Sequence, residues 1–171
     1  LEDAILVGHS FGGIPVSGAA ARVARRLSRV VYLDAALVQS GQAAFDTYPA
    51  ADVRARTLAA EQAHGGLAVP VPRVISPLWG LAAGTPDYDW FMRRLTPHPL
   101  GSFTTPLNFS GPLGAGLPVT YIECTAPVNP LSASARALAA AQPGWDYVKL
   151  AAPHEAMITH PEALAELLLA L

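Results

Sequence analysis

The stretch that most limits how this chain can fold lies close to its first residue. An apolar run, Ala4-Ile5-Leu6-Val7, enters Gly8-His9-Ser10-Phe11-Gly12, and a helical pattern opens at Gly13. Strand, sharp turn and helix in that order lift the middle residue of a G-x-S-x-G segment out of the sheet. The position suits a serine nucleophile, whose hydroxyl must stand clear of its surroundings and face a base. Such a turn is crowded, so the positions two before and two after the serine favour residues without a Cβ. Gly8 and Gly12 occupy them. Backbone N–H groups at the start of the following helix would aim at the same place, and the amide of Phe11 is the expected first donor to an oxyanion. The pentapeptide alone could equally be a plain glycine-rich turn with a solvated serine. The flanking strand and helix favour the nucleophile.

Beyond the turn, the chain reads as a series of β–α units. Residues 13–27 are expected to be helical, with Gly18, Ala19, Ala20, Ala21 and Ala24 small enough to lie close on a sheet. Pro15 is tolerable because it falls in the first turn. Arg29-Val30-Val31-Tyr32-Leu33-Asp34 is a β-rich run, and strand–helix–strand at this spacing predicts parallel strands. From 36 to about 116 the character changes. Proline and glycine recur, no strand is expected, and only 50–64 and 87–95 read as helical. A segment this irregular yet apolar predicts a mostly helical lid insertion within a single domain spanning 1–171. Residues 117–125 then supply a third strand, 131–141 a helix stopped by Pro143-Gly144, and 145–150 a fourth strand. A last helix starts at Pro161, with Leu164, Leu167, Leu168 and Leu171 at helical spacing. The expected fold class is α/β, a parallel sheet layered with helices.

Composition narrows the function. With 51% apolar and 14% charged residues among 171, the chain can bury a globular core. A net charge of −2 offers no basic footprint for nucleic acid or an anionic membrane. No apolar run reaches membrane-spanning length. Cys124 is the single cysteine, so no internal disulfide supports the fold, and a cytoplasmic setting is expected. Placed mid-strand among apolar residues, it reads as core rather than nucleophile. Abundant alanine, arginine and proline with little lysine suggest a GC-rich bacterial genome. Neither H-x-x-x-H nor C-x-x-C spacing occurs, and the glycine-rich turn lacks the Lys-Ser/Thr of a phosphate loop, so no metal or other cofactor is expected.

A serine needs a base, and five histidines compete. His9 lies inside the turn, with its side chain expected to face away from Ser10. His64 and His98 fall in the lid, and His160 stands where a helix cap belongs. His154 alone follows a strand, at the carboxyl edge where sites of parallel sheets collect, and is the expected base. A third residue would orient the imidazole. The loop after the third strand, Thr125-Ala126-Pro127-Val128-Asn129-Pro130, holds no carboxylate. Asp34 ends the second strand beside the nucleophile strand and is favoured as the acid, although it could simply cap the next turn. Glu123, inside the third strand, is the alternative, and Asp146 begins its strand at the wrong edge. Trp79, Trp90, Phe91 and Phe103 would either wall an acyl or aromatic pocket or fill the lid's own core.

Taken together, Leu6-Val7-Gly8-His9-Ser10-Phe11-Gly12-Gly13, Val31-Tyr32-Leu33-Asp34-Ala35, Leu95-Thr96-Pro97-His98-Pro99-Leu100, Tyr121-Ile122-Glu123-Cys124-Thr125 and His154-Glu155-Ala156-Met157-Ile158-Thr159-His160-Pro161 resemble the α/β-hydrolase superfamily. Within it they are most similar to bacterial esterases related to plant methylesterases and hydroxynitrile lyases. The resemblance implies Ser10 as nucleophile, His154 as base, and a small-molecule ester as substrate. Plant relatives carry an aspartate a few residues past the Tyr-Ile-x-Cys strand, where Pro127 stands here. Haloalkane dehalogenases of the same fold place an acid after the next strand, in a context resembling Tyr32-Leu33-Asp34-Ala35, which supports Asp34 by analogy. The lysine on which the lyases rely is absent between 125 and 144. A lyase, or a non-catalytic binding protein of the same fold, stands as the alternative to an esterase. The fold normally sets further strands before the nucleophile strand, and a loop among them gives a second oxyanion donor. The expectation is therefore the C-terminal part of a longer hydrolase, completed by a missing N-terminal segment or by a second chain.

Overall fold

The first strand, β1 (Ala4–His9), ends in a single 3-10 turn, Ser10–Gly12, from which the helix α1 (Gly13–Val23) starts directly. The computed structural model describes residues 1–171. Pro15 sits in the first turn of α1, where its missing N–H removes no helical bond. The buried face of α1 is built from small residues, Gly13, Ser17, Gly18 and Ala20, with Ile14. At Gly18 a Cβ would lie 2.8 Å from the Leu107 side chain. The helix is shorter than the 13–27 expected from the sequence. It tightens into a 3-10 turn over Ala24–Arg26, and β2 (Leu27–Leu33) begins where the helix had been expected to finish. Propensity alone cannot place that boundary, because Leu27 pairs with Ala4 across the sheet.

Pairing then sets the site's frame. β1 and β2 run parallel, from Ala4 opposite Leu27 to His9 opposite Leu33. β2 in turn pairs in parallel with β5 (Val119–Cys124), from Val30 opposite Val119 to Leu33 opposite Ile122. With β6 (Asp146–Leu150) the order is β1-β2-β5-β6 in one four-stranded sheet. Every residue of β5 is buried, the near-continuous apolar pattern of a strand covered on both faces. Val30, Tyr32, Val119 and Tyr121 meet Ala135 and Ala139 of the helix α5 (Ala133–Ala140) in the main core. Each large aliphatic side chain there contributes about 1.5–3 kcal/mol on burial.

The chain divides into two compact units. The first comprises Leu1–Tyr48, Phe103–Glu123 and Pro130–Lys149 and holds the sheet, save the last residues of β5 and β6, with α1 and α5. Within it the strap after β2 is tied to the segment near 107 by reciprocal backbone bonds, Gly41 N–H to Leu107 O at 2.8 Å and Leu107 N–H to Gln42 O at 2.9 Å.

The second unit comprises Pro49–Ser102, Cys124–Asn129 and Leu150–Leu171. Its helix α2 (Ala50–His64) matches the expected range and ends on Gly65 at φ 58°, a left-handed cap that suits glycine. A short ladder follows, β3 (Ala68–Val69) antiparallel to β4 (His98–Pro99). No strand was expected here from the sequence. Two residues carry no periodicity, and a strand containing proline is confined to an edge. The helix α3 (Pro86–Met92) stops short of the expected 95. Its start is marked by Pro86 at the first position and by Thr85, whose hydroxyl accepts the Tyr88 N–H at 3.3 Å. A short helix α4 (Leu100–Thr104) follows the ladder, and the chain ends in α6 (Ala156–Thr159) and α7 (Pro161–Leu169), the latter burying Leu164. No helix is long and apolar enough to cross a membrane.

Candidate active site

The serine turn is under backbone strain. Ser10 has φ 55°, in the left-handed region that costs a non-glycine residue about 1–2 kcal/mol. The crowding expected around it is present, but one of its two glycines is misplaced. A Cβ on Gly8 would come within 2.9 Å of the Gly12 carbonyl oxygen and of Val16. Gly12, by contrast, has open space around it and an ordinary helical φ of −57°, so the expected steric need for glycine there does not hold. The demand falls one residue later. A Cβ on Gly13 would collide with the Ala36 carbonyl oxygen and lie 2.8 Å from the Ala35 Cβ.

Ala35 and Ala36 follow Asp34, and they bring the second strand's turn against the first. Because His9 pairs with Leu33, Ser10 and Asp34 leave their strands at the same level. Asp34 is 1% exposed and also left-handed, at φ 40°. Its N–H donates to Ile122 O at 2.7 Å, and the Ala36 N–H donates to Ser10 O at 2.8 Å. The Tyr121 hydroxyl donates to Ala35 O at 3.1 Å. Burial, with the Asp34 carboxylate nearby, holds the Tyr121 phenol far above its ordinary pKa. Phe11 leaves the turn to meet Phe103 edge-on at 5.0 Å, and Phe45 and Tyr48 complete that aromatic cluster.

Two further carboxylates of this unit, both weighed in the sequence, have other partners. Glu123 pairs with Arg136 Nε at 3.3 Å and accepts the Tyr147 hydroxyl at 3.2 Å. Burial first, and the Glu123 charge second, push the Tyr147 phenol up to about 12. Asp146 is exposed at the strand's start and pairs with Arg29 at 2.9 Å. Cys124 is buried and takes part in no disulfide.

His154 belongs to the second unit, on the loop that follows β6, and is 4% exposed. The 3-10 turn Pro77–Trp79 holds that loop by its backbone. The His154 N–H donates to Leu78 O at 3.4 Å and the Glu155 N–H to Trp79 O at 3.3 Å. The Trp79 ring lies 6.2 Å from the imidazole, and Phe91 packs edge-on against Trp79 at 5.8 Å. The approach is close because residue 80 is glycine. Gly80 stands at φ 81°, and a Cβ there would run into the Pro153 ring. Trp90 has Arg94 over its ring at 4.2 Å and helps line an open groove of about 460 Å³ with Pro86, Arg93 and Met157. The four aromatic residues singled out in the sequence thus fall into separate groups, Phe103 in the first unit and Trp79, Phe91 and Trp90 in the second. Of the remaining histidines, His98 has its pKa lowered by burial and by the Arg56 charge, and His160 contacts the Thr159 hydroxyl at 2.9 Å. The residues that sequence reasoning missed, Gly13, Tyr121, Phe45 and Gly80, act through neighbours distant in the chain. Only Tyr121 carried a signal, as a polar-tipped residue in an otherwise buried strand.

A parallel sheet whose first strand breaks into a helix through a strained serine turn is the architecture of an α/β hydrolase. The model of the alpha/beta hydrolase family matches residues 1–167. A carbendazim hydrolyzing esterase from Nocardioides sp. (strain SG-4G) is 34% identical over 180 residues, covering 100% of this chain and 72% of that protein. Among solved structures, an extracellular alpha/beta-hydrolase from a Paenibacillus species superposes with TM-score 0.77 at 22% identity, covering 99% of this chain and 72% of that one. That enzyme shares structural and functional homology with tobacco salicylic acid binding protein 2. A pyrethroid hydrolase from Sphingobium faniae JZ-2 superposes with TM-score 0.71 at 23% identity, covering 99% and 70%. The chain belongs to the alpha/beta hydrolase family, as an esterase.

Proposed function

We propose that the protein cleaves a small or medium carboxylic ester through an acyl-enzyme, with Ser10 as nucleophile, His154 as general base and Asp34 as the acid that orients His154. The observation carrying this reading is the left-handed Ser10 on a strand-to-helix turn, hydrogen-bonded through Ala36 to the turn that bears buried Asp34. Strain of this kind persists where surrounding structure over-determines it, which is common at reacting residues. Each of the three residues follows a strand of the one sheet, in the order serine, acid, histidine. Asp34 is preferred to Glu123 because both Glu123 oxygens are occupied by Arg136 and Tyr147.

In this mechanism Ser10 Oγ attacks the ester carbonyl carbon while His154 takes its proton. The oxyanion is received by the Phe11 N–H. The bond to the alcohol oxygen then breaks, and the alcohol leaves with the proton from His154. Water, deprotonated by the same imidazole, attacks the acyl-enzyme and frees the acid and Ser10. Asp34 stays ionised and stabilises the imidazolium. Residues 36–116 act as the lid insertion that selects the ester. The compounds named for the relatives, carbendazim and a pyrethroid, support an ester or related acyl group of that size. The setting that goes with this reading is the cytoplasm of a bacterium.

Labelling by a fluorophosphonate probe tests the proposal. Wild-type protein is expected to label and Ser10→Ala not to. Asp34→Asn should lower kcat by about 10³–10⁴ without unfolding the chain. An Asp34→Asn variant with wild-type turnover would remove Asp34 from the mechanism.

A further inference from the structure

We infer that the Tyr121 hydroxyl is a positioning group for the reaction, holding the Asp34 turn in register with the nucleophile turn. The inference rests on Ser10 as the proposed nucleophile and Asp34 as the proposed acid. Three successive residues of the turn are tied down by three different partners. Asp34 N–H is held by Ile122 O of β5, Ala35 O by the Tyr121 hydroxyl, and Ala36 N–H by Ser10 O at the end of β1. The first and third of these bonds are backbone bonds that any residue could make. The second is the one that depends on a side chain.

The bond matters because Asp34 sits at φ 40°, a conformation the backbone leaves readily unless held. Ala35 is fully buried, so its carbonyl has no water to turn to. Tyr121 is itself fully buried on β5, opposite Tyr32, and its ring is braced from the far side. Tyr147 stacks on it at 5.5 Å, the Tyr147 hydroxyl is held by Glu123, and Glu123 is held by Arg136. A carbonyl can only accept, so the phenol must keep its proton. Burial and the nearby carboxylate favour the neutral phenol. Displacement of this turn would move the carboxylate and, through Ala36, the serine carbonyl together. A misplacement on the order of 1 Å at such a site costs about 10²-fold in rate.

Tyr121→Phe, which removes one oxygen, is the test. With a chromogenic acetate ester, kcat is expected to fall about 10-fold or more while KM stays within about twofold, and fluorophosphonate labelling should slow in proportion. A purely structural tyrosine would lower the melting temperature and leave kcat of the folded enzyme unchanged, and that result overturns the inference. Replacement of Tyr121 by p-aminophenylalanine, which retains a donor, should restore kcat to within about threefold. Should Tyr121→Phe fail to fold, the p-amino variant decides, since a 10-fold loss of kcat there contradicts a role for the donated bond. Combining Tyr121→Phe with Asp34→Asn should add little to the loss from Asp34→Asn alone, and fully additive losses would also overturn the inference. Ser10→Ala run in parallel separates the two layers. Labelling that survives Ser10→Ala sinks the nucleophile reading, whereas a silent Ser10→Ala beside a fully active Tyr121→Phe sinks only the role of Tyr121.

Discussion

The turn bearing Ser10 could be singled out from ten residues of sequence, yet which of its later glycines is sterically required could not. Gly8 and Gly12 flank the serine symmetrically in the motif, and both were expected to answer the same steric demand. The structure separates them, since Gly12 faces open space and Gly13 faces the Ala35-Ala36 backbone. That contact comes from the turn after β2, more than twenty positions along the chain, so nothing local announces it. Gly13→Ala is therefore expected to destabilise the protein by about 1–3 kcal/mol through overpacking. Gly12→Ala should stay within about 1 kcal/mol of wild type. Thermal or urea denaturation of the two variants checks the contrast, and equal losses would contradict it. His98 offers a second measurement at this scale. Burial, and then the Arg56 charge, lower its pKa from 6.5, so the unfolded chain takes up that proton before the folded one. Its contribution to stability is full above pH 6.5 and is lost as pH falls from there through the folded-state value. Titration of the His98 ring by NMR should give a midpoint below 6.5, and a midpoint at or above it would refute the burial argument.

At the scale of elements, what repeats was legible and what merely touches was not. The strands 27–33, 119–124 and 146–150 and the helices 13–23, 50–64, 133–140 and 161–169 all fall where periodicity, proline and glycine had put them, within a few residues at the ends. The two-residue ladder of β3 and β4 was invisible, because pairing so short depends on the partner and leaves no pattern. Helix ends were legible where a side chain makes them. Thr85 caps α3 by accepting the Tyr88 N–H, and Thr85→Ala should cost about 1 kcal/mol, read as a lower denaturation midpoint with an unchanged slope. The Arg29–Asp146 pair across the sheet's far end is a contrasting case. With Asp146 61% exposed, Asp146→Asn should leave stability nearly unaltered.

For the molecule as a whole, the order of the four sheet strands and of the helices between them could be read in advance, whereas the grouping of 49–102 with 150–171 could not. Compactness of that kind depends on contacts between residues far apart in sequence, and a single chain does not record them. Three tyrosines give the protein a collective property. Burial is the leading cause that lifts the phenols of Tyr32 and Tyr121 above 10.0, and it pushes Tyr147 up to about 12. Below pH 10 these groups are neutral whether the chain is folded or not, and the stability they confer is complete. Above it the unfolded chain ionises first, so stability declines as pH climbs towards the folded values. Tyrosinate absorbance followed against pH should show a delayed fraction that appears together with unfolding. Simple titration of all five tyrosines near 10 would refute this account. The close fit of Gly13 against Ala35 and the Ala36 carbonyl also ties together the histories of two stretches of chain. A lineage that reshapes residues 34–36 has to refit residues 8–13 in the same step, so homologues should vary these two stretches jointly and seldom one at a time.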